Sequence, residues 1–308
     1  MNVWEPERVV DEELARVLLR EQFPDLALES VEPLGVGWDV TVYLVDGTWA
    51  VRFPRREVAV PTLLREIALL PALAPQLPLP VPVPQLVGRP TDEFPWTFWG
   101  APFLSGRELA EAGLPDDARE RLAREIGGFL RVLHDPALAG ELGADLLTDP
   151  MRRAIPSTRG PMTRDFLDLL ASRGTWVAGS AVDRAVDDIV AAADPLGPPT
   201  GEPVLVQGDL HLRHLLIAPD GTAAGVIDWG DSCLADPALD LSLAYAAFSG
   251  SVRDAFFEAY GARPDRPREL RARVLALCLC AALADYADQN GMPDLLTESL
   301  AGVARATT

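Results

Sequence analysis

Residues 204 to 231 read Val204-Leu-Val-Gln-Gly-Asp-Leu-His-Leu-Arg-His-Leu-Leu-Ile-Ala-Pro-Asp-Gly-Thr-Ala-Ala-Gly-Val-Ile-Asp-Trp-Gly-Asp231. Two short apolar strands flank Pro219-Asp220-Gly221, a turn whose proline presets φ and whose glycine accepts reversed backbone. A hairpin pivoting on Asp220 and Gly221 sets His214, at the start of one strand, opposite Asp228 at the end of the other. Asp209 lies on the loop feeding the first strand, so three polar groups converge at one end of an apolar hairpin. Convergent acidic groups of this kind suit divalent-metal and proton chemistry on a phosphorylated substrate. The same spacing admits a plainer reading, in which the two aspartates cap turns and His214 fills a satisfied core niche.

Around this island the hydrophobic period is helical, with helices expected around Thr163–Ala171, Ala181–Ala192, Pro237–Phe248, Ser251–Tyr260, Arg268–Asp288 and Asp294–Ala304. Another runs from about Ala118, with Leu122, Ile126, Phe129, Leu130 and Leu133 on one face and His134 at its end as a packing or capping residue. Towards the N-terminus, an amphipathic helix (Leu14, Val17, Leu18) gives way to strand alternation. Val40, Val42 and Leu44 precede Asp46-Gly47, and Trp49, Val51 and Phe53 follow it, which is a two-residue hairpin signal. Just upstream, Gly35 and Gly37 let the backbone turn closely over a ligand, and equally suit an ordinary turn. Pro61–Leu70 reads as a short helix carrying Glu66, and Pro71–Pro84 as an extended connection. Phe94–Trp99 and Ala101–Leu104 read as a further strand pair and a crossing segment, with Trp96 and Trp99 as core residues rather than an adenine platform. Ser105-Gly106 is a natural boundary between a strand-rich lobe and a larger helical one.

Composition agrees with a folded globule of two domains: 308 residues, 48% hydrophobic and 24% charged. Lys plus Arg total 27 against 46 Asp plus Glu, for a net charge of -19, which disfavours nucleic acid as a partner. No lysine occurs, so every fixed side-chain cation is an arginine. Charges interleaved through Met1–Arg20 are incompatible with the apolar core of a secretory signal, and the apolar run Val274–Ala284 is too short for a membrane span. Cys233, Cys278 and Cys280 lack metal spacing and fit buried thiols in a reducing compartment. The expectation is a cytoplasmic protein without a membrane or nucleic-acid partner.

Gly208-Asp209-Leu210-His211, His214-Leu-Leu-Ile217, Gly225-Val-Ile-Asp228-Trp229 and Asp236-Pro-Ala-Leu-Asp-Leu241 together resemble the aminoglycoside phosphotransferase family, including its macrolide-kinase branch. Gly37-Trp38-Asp39 and Val51-Arg-Phe-Pro-Arg-Arg56 resemble the same group, so the similarity covers roughly Leu34 to Phe248. The resemblance implies an α+β, bilobal, protein-kinase-like fold. Its nucleotide-binding N-lobe, built on a small antiparallel sheet, would span residues 1–104, and a mainly helical C-lobe, carrying the catalytic loop and substrate site, residues 105–308. It further implies ATP or GTP in the cleft, Mg²⁺, and transfer of the γ-phosphoryl group to a hydroxyl of a small molecule. The nearest acceptors are aminoglycoside or macrolide antibiotics, hence a resistance kinase, and the acidic balance suits an amine-bearing one. A kinase of an amino alcohol or sugar, or a nucleotide-binding pseudokinase, are the alternatives.

Carried over position by position, Asp209 matches the catalytic aspartate, and Asp228 the metal-binding aspartate after the hairpin. Arg52 matches the position of the phosphate-binding lysine, Glu66 its helical partner, and Gly35 and Gly37 the loop over the nucleotide. A guanidinium holds phosphate bidentately, which suits the exchange at Arg52, although that residue could instead belong to a surface cluster with Arg55 and Arg56. Two other positions depart from the family pattern. Gln207 stands where histidine usually precedes Gly-Asp, and His214 stands where most members have a metal-binding asparagine. Imidazole is softer than the oxygen donors Mg²⁺ prefers, but the macrolide-kinase branch resembles this chain in carrying histidine there, so His214 is read as a metal ligand beside a structural alternative. Asp231 reads as a residue that could meet a cationic substrate group or remain a loop carboxylate. Asp236-Pro237 has the form of a helix cap, and Asp240 that of a brace for the catalytic loop.

Overall fold

Alternating apolar residues in the first hundred positions build a five-stranded antiparallel sheet. The computed structural model describes residues 5–37, 39–142 and 146–308; Trp38 of the Gly37-Trp38-Asp39 stretch and the first four residues lie outside the described residues. The chain forms two units, Met1–Gln76 with Pro80–Leu104, and Leu77–Leu79 with Ser105–Thr308. In the first unit α1 (Glu12–Gln22) is followed by β1 (Val31–Val36), β2 (Val40–Val45), β3 (Trp49–Pro54), α2 (Val60–Leu73), β4 (Leu86–Gly88) and β5 (Phe98–Pro102). The strands lie in the order β1-β2-β3-β5-β4.

Period-two alternation sorts β3 across the sheet. Val51 and Phe53 join Leu18 and Leu19 of α1, Tyr43, Phe94 and Phe98 in one core. On the opposite face Val40, Trp99 and Ala101 pack with Leu63 of α2. Arg52, out of phase with Val51 and Phe53, meets α2 there through Glu66. Asp46 and Gly47 are both left-handed, at φ 50 and 64. The strands pair at Val45 and Trp49, so the turn holds three residues, Asp46–Thr48, rather than the two expected from Asp-Gly. The Asp46 carboxylate accepts the Leu28 and Ser30 N–H groups at 2.9 and 3.0 Å, tying this longer turn to the segment before β1.

Two further expectations are corrected. The helix carrying Glu66 continues through Pro71 to Leu73 and closes in a 3-10 turn at Ala74–Gln76, because buried Leu70 and Leu73 hold its last turn against the proline. By length and composition alone Glu57–Gln76 could cross a membrane, yet Leu63, Glu66, Leu69, Leu70 and Leu73 are buried within the protein. The segment 94–104 supplies one strand, β5, whose edge partner is β4, while Phe94 packs in the core ahead of it.

The second unit contains β6 (Arg107–Glu108), α3 (Leu109–Ala112), α4 (Glu120–Leu133), α5 (Pro136–Leu142), α6 (Pro156–Ser172), α7 (Ala181–Ala193), β7 (Val204–Val206), β8 (Leu215–Ile217), β9 (Ala223–Val226), β10 (Cys233–Ala235), α8 (Ala238–Ala247), α9 (Gly250–Tyr260), α10 (Arg266–Asn290) and α11 (Pro293–Ala306). Helix α6 begins at Pro156, a favourable first-turn residue, and so starts about two turns before the expected Thr163. Fully buried α8 lies against α10 and α11 and forms the floor beneath the polar island. All three cysteines are buried free thiols. The island itself divides: β8 pairs with β9 and β6, whereas β7 pairs with β10. The loop β7–β8 carries Asp209, and the loop β9–β10 carries Asp228 and Asp231.

Candidate active site

The β7–β8 loop leaves its strand through Gly208, whose φ of 91° and close packing both require glycine; an added Cβ would lie 2.3 Å from the Asp231 carbonyl oxygen. The facing loop turns at Asp228, left-handed at φ 59, a conformation aspartate tolerates better than most residues. Gln207 joins the two loops. Its side-chain amide donates to the Ile227 carbonyl at 3.1 Å and to the Asp228 carbonyl, while its Oε1 accepts the Asp209 N–H at 2.8 Å. An amide offers a donor and an acceptor at once, which accounts physically for glutamine at this position. From below, Asp240 accepts the Gln207 and Gly208 N–H groups at 2.8 and 2.9 Å and meets His134 Nε2 at 3.1 Å. Tyr260 holds the other His134 nitrogen at 3.0 Å. Asp236 accepts the Ala238 N–H at 2.9 Å at the start of α8 and pairs with Arg268 at 3.0 Å.

The register sets His214 opposite Ile227, whose N–H it receives at 3.0 Å, one residue short of the expected pairing with Asp228. The side chains nevertheless meet. His214 Nδ1 donates to the Asp209 carbonyl at 2.8 Å, since a carbonyl can only accept. In the neutral imidazole this leaves the Nε2 lone pair 3.5 Å from Asp228 Oδ2, and Nδ1 lies 3.8 Å from Asp209 Oδ2. One imidazole therefore stands between the two carboxylates. Two acceptors at that separation, one nitrogen and one oxygen, form a donor set that suits a cation. His211 stacks on His214 at 3.7 Å between ring centroids, with its Nε2 3.6 Å from Asp209 Oδ2. Its Nδ1 accepts the Arg213 N–H at 3.2 Å, which puts the proton on Nε2 and leaves that atom no lone pair for a metal. Burial, then the neighbouring His214, hold the His211 ring well below the ordinary imidazole range. Burial pushes Asp209 up to about 6, against the opposing pull of Arg153 and His214.

Arg153, which the sequence reading did not single out, is the cation of this cluster. It donates to the Gly208 carbonyl at 2.6 Å and to Asp231 at 2.7 Å, and lies 3.4 Å from Asp209 Oδ1. Asp231 is thus engaged by a guanidinium. Burial opposes the charge on Arg153, but Asp209 and Asp231 hold it above the ordinary arginine range.

The remaining residues singled out lie in the first unit. Arg52 is 3.6 Å from Glu66 and 5.3 Å from the centre of the Trp99 ring. Trp99 is a core residue, as expected, and its indole also donates to fully buried Glu66 at 3.2 Å, which fixes the acid. Arg55 and Arg56 are engaged elsewhere, with the Gly37 carbonyl at 2.6 Å and with Asp39 respectively. Gly35 sits at an irregularity in the β1–β2 pairing, and a Cβ there would meet nothing within 4 Å. Gly37 donates to the Val40 carbonyl at 2.8 Å.

The sequence pattern of the phosphotransferase enzyme family, APH, matches residues 30–272. An uncharacterized protein of Bacillus subtilis (strain 168), YcbJ, is 26% identical over 264 residues, covering 79% of this chain and 78% of its own. The structure of APH(2")-IIia in complex with GDP and kanamycin aligns over 95% of this chain and 97% of its own, with 21% identity and a TM-score of 0.65. Macrolide 2'-phosphotransferase MphH from Brachybacterium faecium aligns over 95% and 97%, with 23% identity and a TM-score of 0.57. The chain belongs to the APH phosphotransferase family, shares its kinase-like fold, and is a small-molecule kinase.

Proposed function

We propose that this enzyme transfers the γ-phosphoryl group of ATP or GTP to a hydroxyl of an aminoglycoside or macrolide antibiotic, with Asp209 as the catalytic residue. The observation that carries the reading is the imidazole of His214 set between the carboxylates of Asp209 and Asp228. His214 Nε2 and Asp228 would hold Mg²⁺, which supplies charge neutralisation on the phosphoryl oxygens when bound. Asp209 takes or orients the acceptor's proton while the acceptor oxygen bonds to the γ-phosphorus and the bridge to the leaving diphosphate breaks. Its raised proton affinity, near 6, suits a group that must hold a proton briefly near neutral pH. Phosphoryl transfer is mostly positioning and electrostatics, and the Gln207 and Asp240 bonds supply that positioning at Asp209.

For the donor nucleotide we assign Arg52, oriented by Glu66, to phosphate, and Gly35 and Gly37 to close backbone approach. The complex of APH(2")-IIia contains GDP and kanamycin, which supports nucleotide use and an amine-bearing acceptor, and the net charge of -19 favours such an acceptor electrostatically. The test is turnover of ATP and of GTP with a panel of aminoglycosides, macrolides, amino alcohols and sugars. Phosphorylation of an antibiotic that drops about a thousandfold in Asp209→Asn is the expected result. Activity confined to metabolites would overturn the antibiotic assignment.

A further inference from the structure

Gly208, Asp209 and Asp231 converge on one side chain that arrives from a distant part of the chain, and the segment bearing it is built for the purpose. Residues 147–154, between α5 and α6, run beside β10: Leu234 donates to the Leu147 carbonyl at 2.8 Å, Asp149 donates to the Leu234 carbonyl at 3.0 Å, and Thr148 forms a parallel bridge with Leu234. The backbone then turns through two left-handed non-glycine residues, Asp149 at φ 30 and Arg152 at φ 52. Such conformations persist only where surrounding contacts over-determine them. Here the Asp149 carboxylate accepts the N–H groups of Arg153 and Ala154 at 2.8 and 3.2 Å, which fixes the origin of the Arg153 side chain. The guanidinium fork then divides between a carbonyl on the Asp209 loop and a carboxylate on the Asp228 loop.

We infer that Arg153 is a positioning residue for phosphoryl transfer, a guanidinium clamp that holds the Asp209 loop against the Asp231 loop so that the catalytic carboxylate meets the acceptor hydroxyl. The inference rests on the assignment of Asp209 as the catalytic residue. Asp231 belongs to this clamp, its charge committed to Arg153 at 2.7 Å rather than offered to an acceptor amine. The planar fork gives each acceptor its own nitrogen in a fixed direction, whereas an ammonium is a single point charge on a flexible stem.

The experiment measures kcat and nucleotide KM for hydrolysis of ATP and of GTP, each with Mg²⁺, in wild type, Asp209→Asn, Arg153→Met, Arg153→Lys and Arg153→Ala. Thermal unfolding is recorded for each. Arg153→Met is expected to lower kcat about a hundredfold with nucleotide KM held within about twofold, the pattern of a misplaced reacting group. Arg153→Lys recovers little, and millimolar guanidinium restores part of the turnover of Arg153→Ala, which a purely structural role would not produce. Where Arg153→Met fails to fold, Asp231→Asn reads the same clamp, with a fall in kcat of about tenfold at constant KM. Turnover near wild type in Arg153→Met or Asp231→Asn, with Asp209→Asn inactive, overturns the clamp alone. Turnover retained in Asp209→Asn overturns the catalytic assignment, and the clamp with it.

Discussion

Backbone between Gln207 and Asp209 is held at every polar group described above, by Asp240 from below, Gln207 from the side and Arg153 from across the loop. Backbone around Gly35 has a different character: β1 is exposed after its first residue, its pairing slips at Leu34, and an added Cβ on Gly35 has open space around it. The first is a loop leaving a strand and the second the irregular end of a strand, and both carry residues proposed to act on one reaction. Proton transfer demands placement to fractions of an ångström before the reactants arrive, whereas a loop that covers phosphates has to adapt to them. Density of hydrogen bonding therefore separates residues assigned to chemistry from those assigned to grip.

The largest expected contrast is in stability. Asp240→Ala strips two buried N–H groups and His134 of their acceptor, and we expect a loss of about 3 kcal/mol in denaturant unfolding together with a collapse of turnover. A loss below about 0.5 kcal/mol would show that the loop is held by its strands alone. Next comes pH. Because burial lifts the proton affinity of Asp209, kcat/KM of the free enzyme should fall about tenfold per pH unit below about 6. The stability sign is opposite to that of a salt-bridged acid. A group whose folded pKa is raised contributes stability at low pH, and that contribution is lost as pH rises through about 6. Asp209→Asn should accordingly melt above wild type at pH 8, with the gap closing towards pH 4; equal melting temperatures throughout would mean that the carboxylate is well solvated. The smallest effect belongs to Gly35→Ala, where stability changes by less than about 0.5 kcal/mol and nucleotide KM rises a few-fold, measurable by titration with either nucleotide. A larger loss of stability would show that the glycine serves the fold.

The same division governs what could be read from residues alone. Asp209, His214 and Asp228 were legible because a hairpin brings near neighbours in sequence together, and a slip of one residue in its register left the convergence intact. Glu66 and Arg52 were legible through strand parity and resemblance to the family, but the indole of Trp99 that fixes Glu66 was not, since a tryptophan in an apolar run signals only core. Arg153 stands 55 residues before the carbonyl it binds, in a segment without periodicity, and one arginine among 27 carries no mark of its partner. Pro71 misled for a physical reason: local preference ends a helix there, and burial of Leu70 and Leu73 carries it on.

Asp228 performs two duties with one residue, reversing the backbone at φ 59 and presenting a carboxylate to His214. Only a short list of side chains accepts that backbone cheaply, and of those only aspartate also brings the charge. Selection for transfer to new acceptors in a mutagenised library is expected to find almost no viable codons at this corner. Its winners will accumulate where the acceptor is gripped, and the corner will descend unchanged through every lineage that still transfers phosphate.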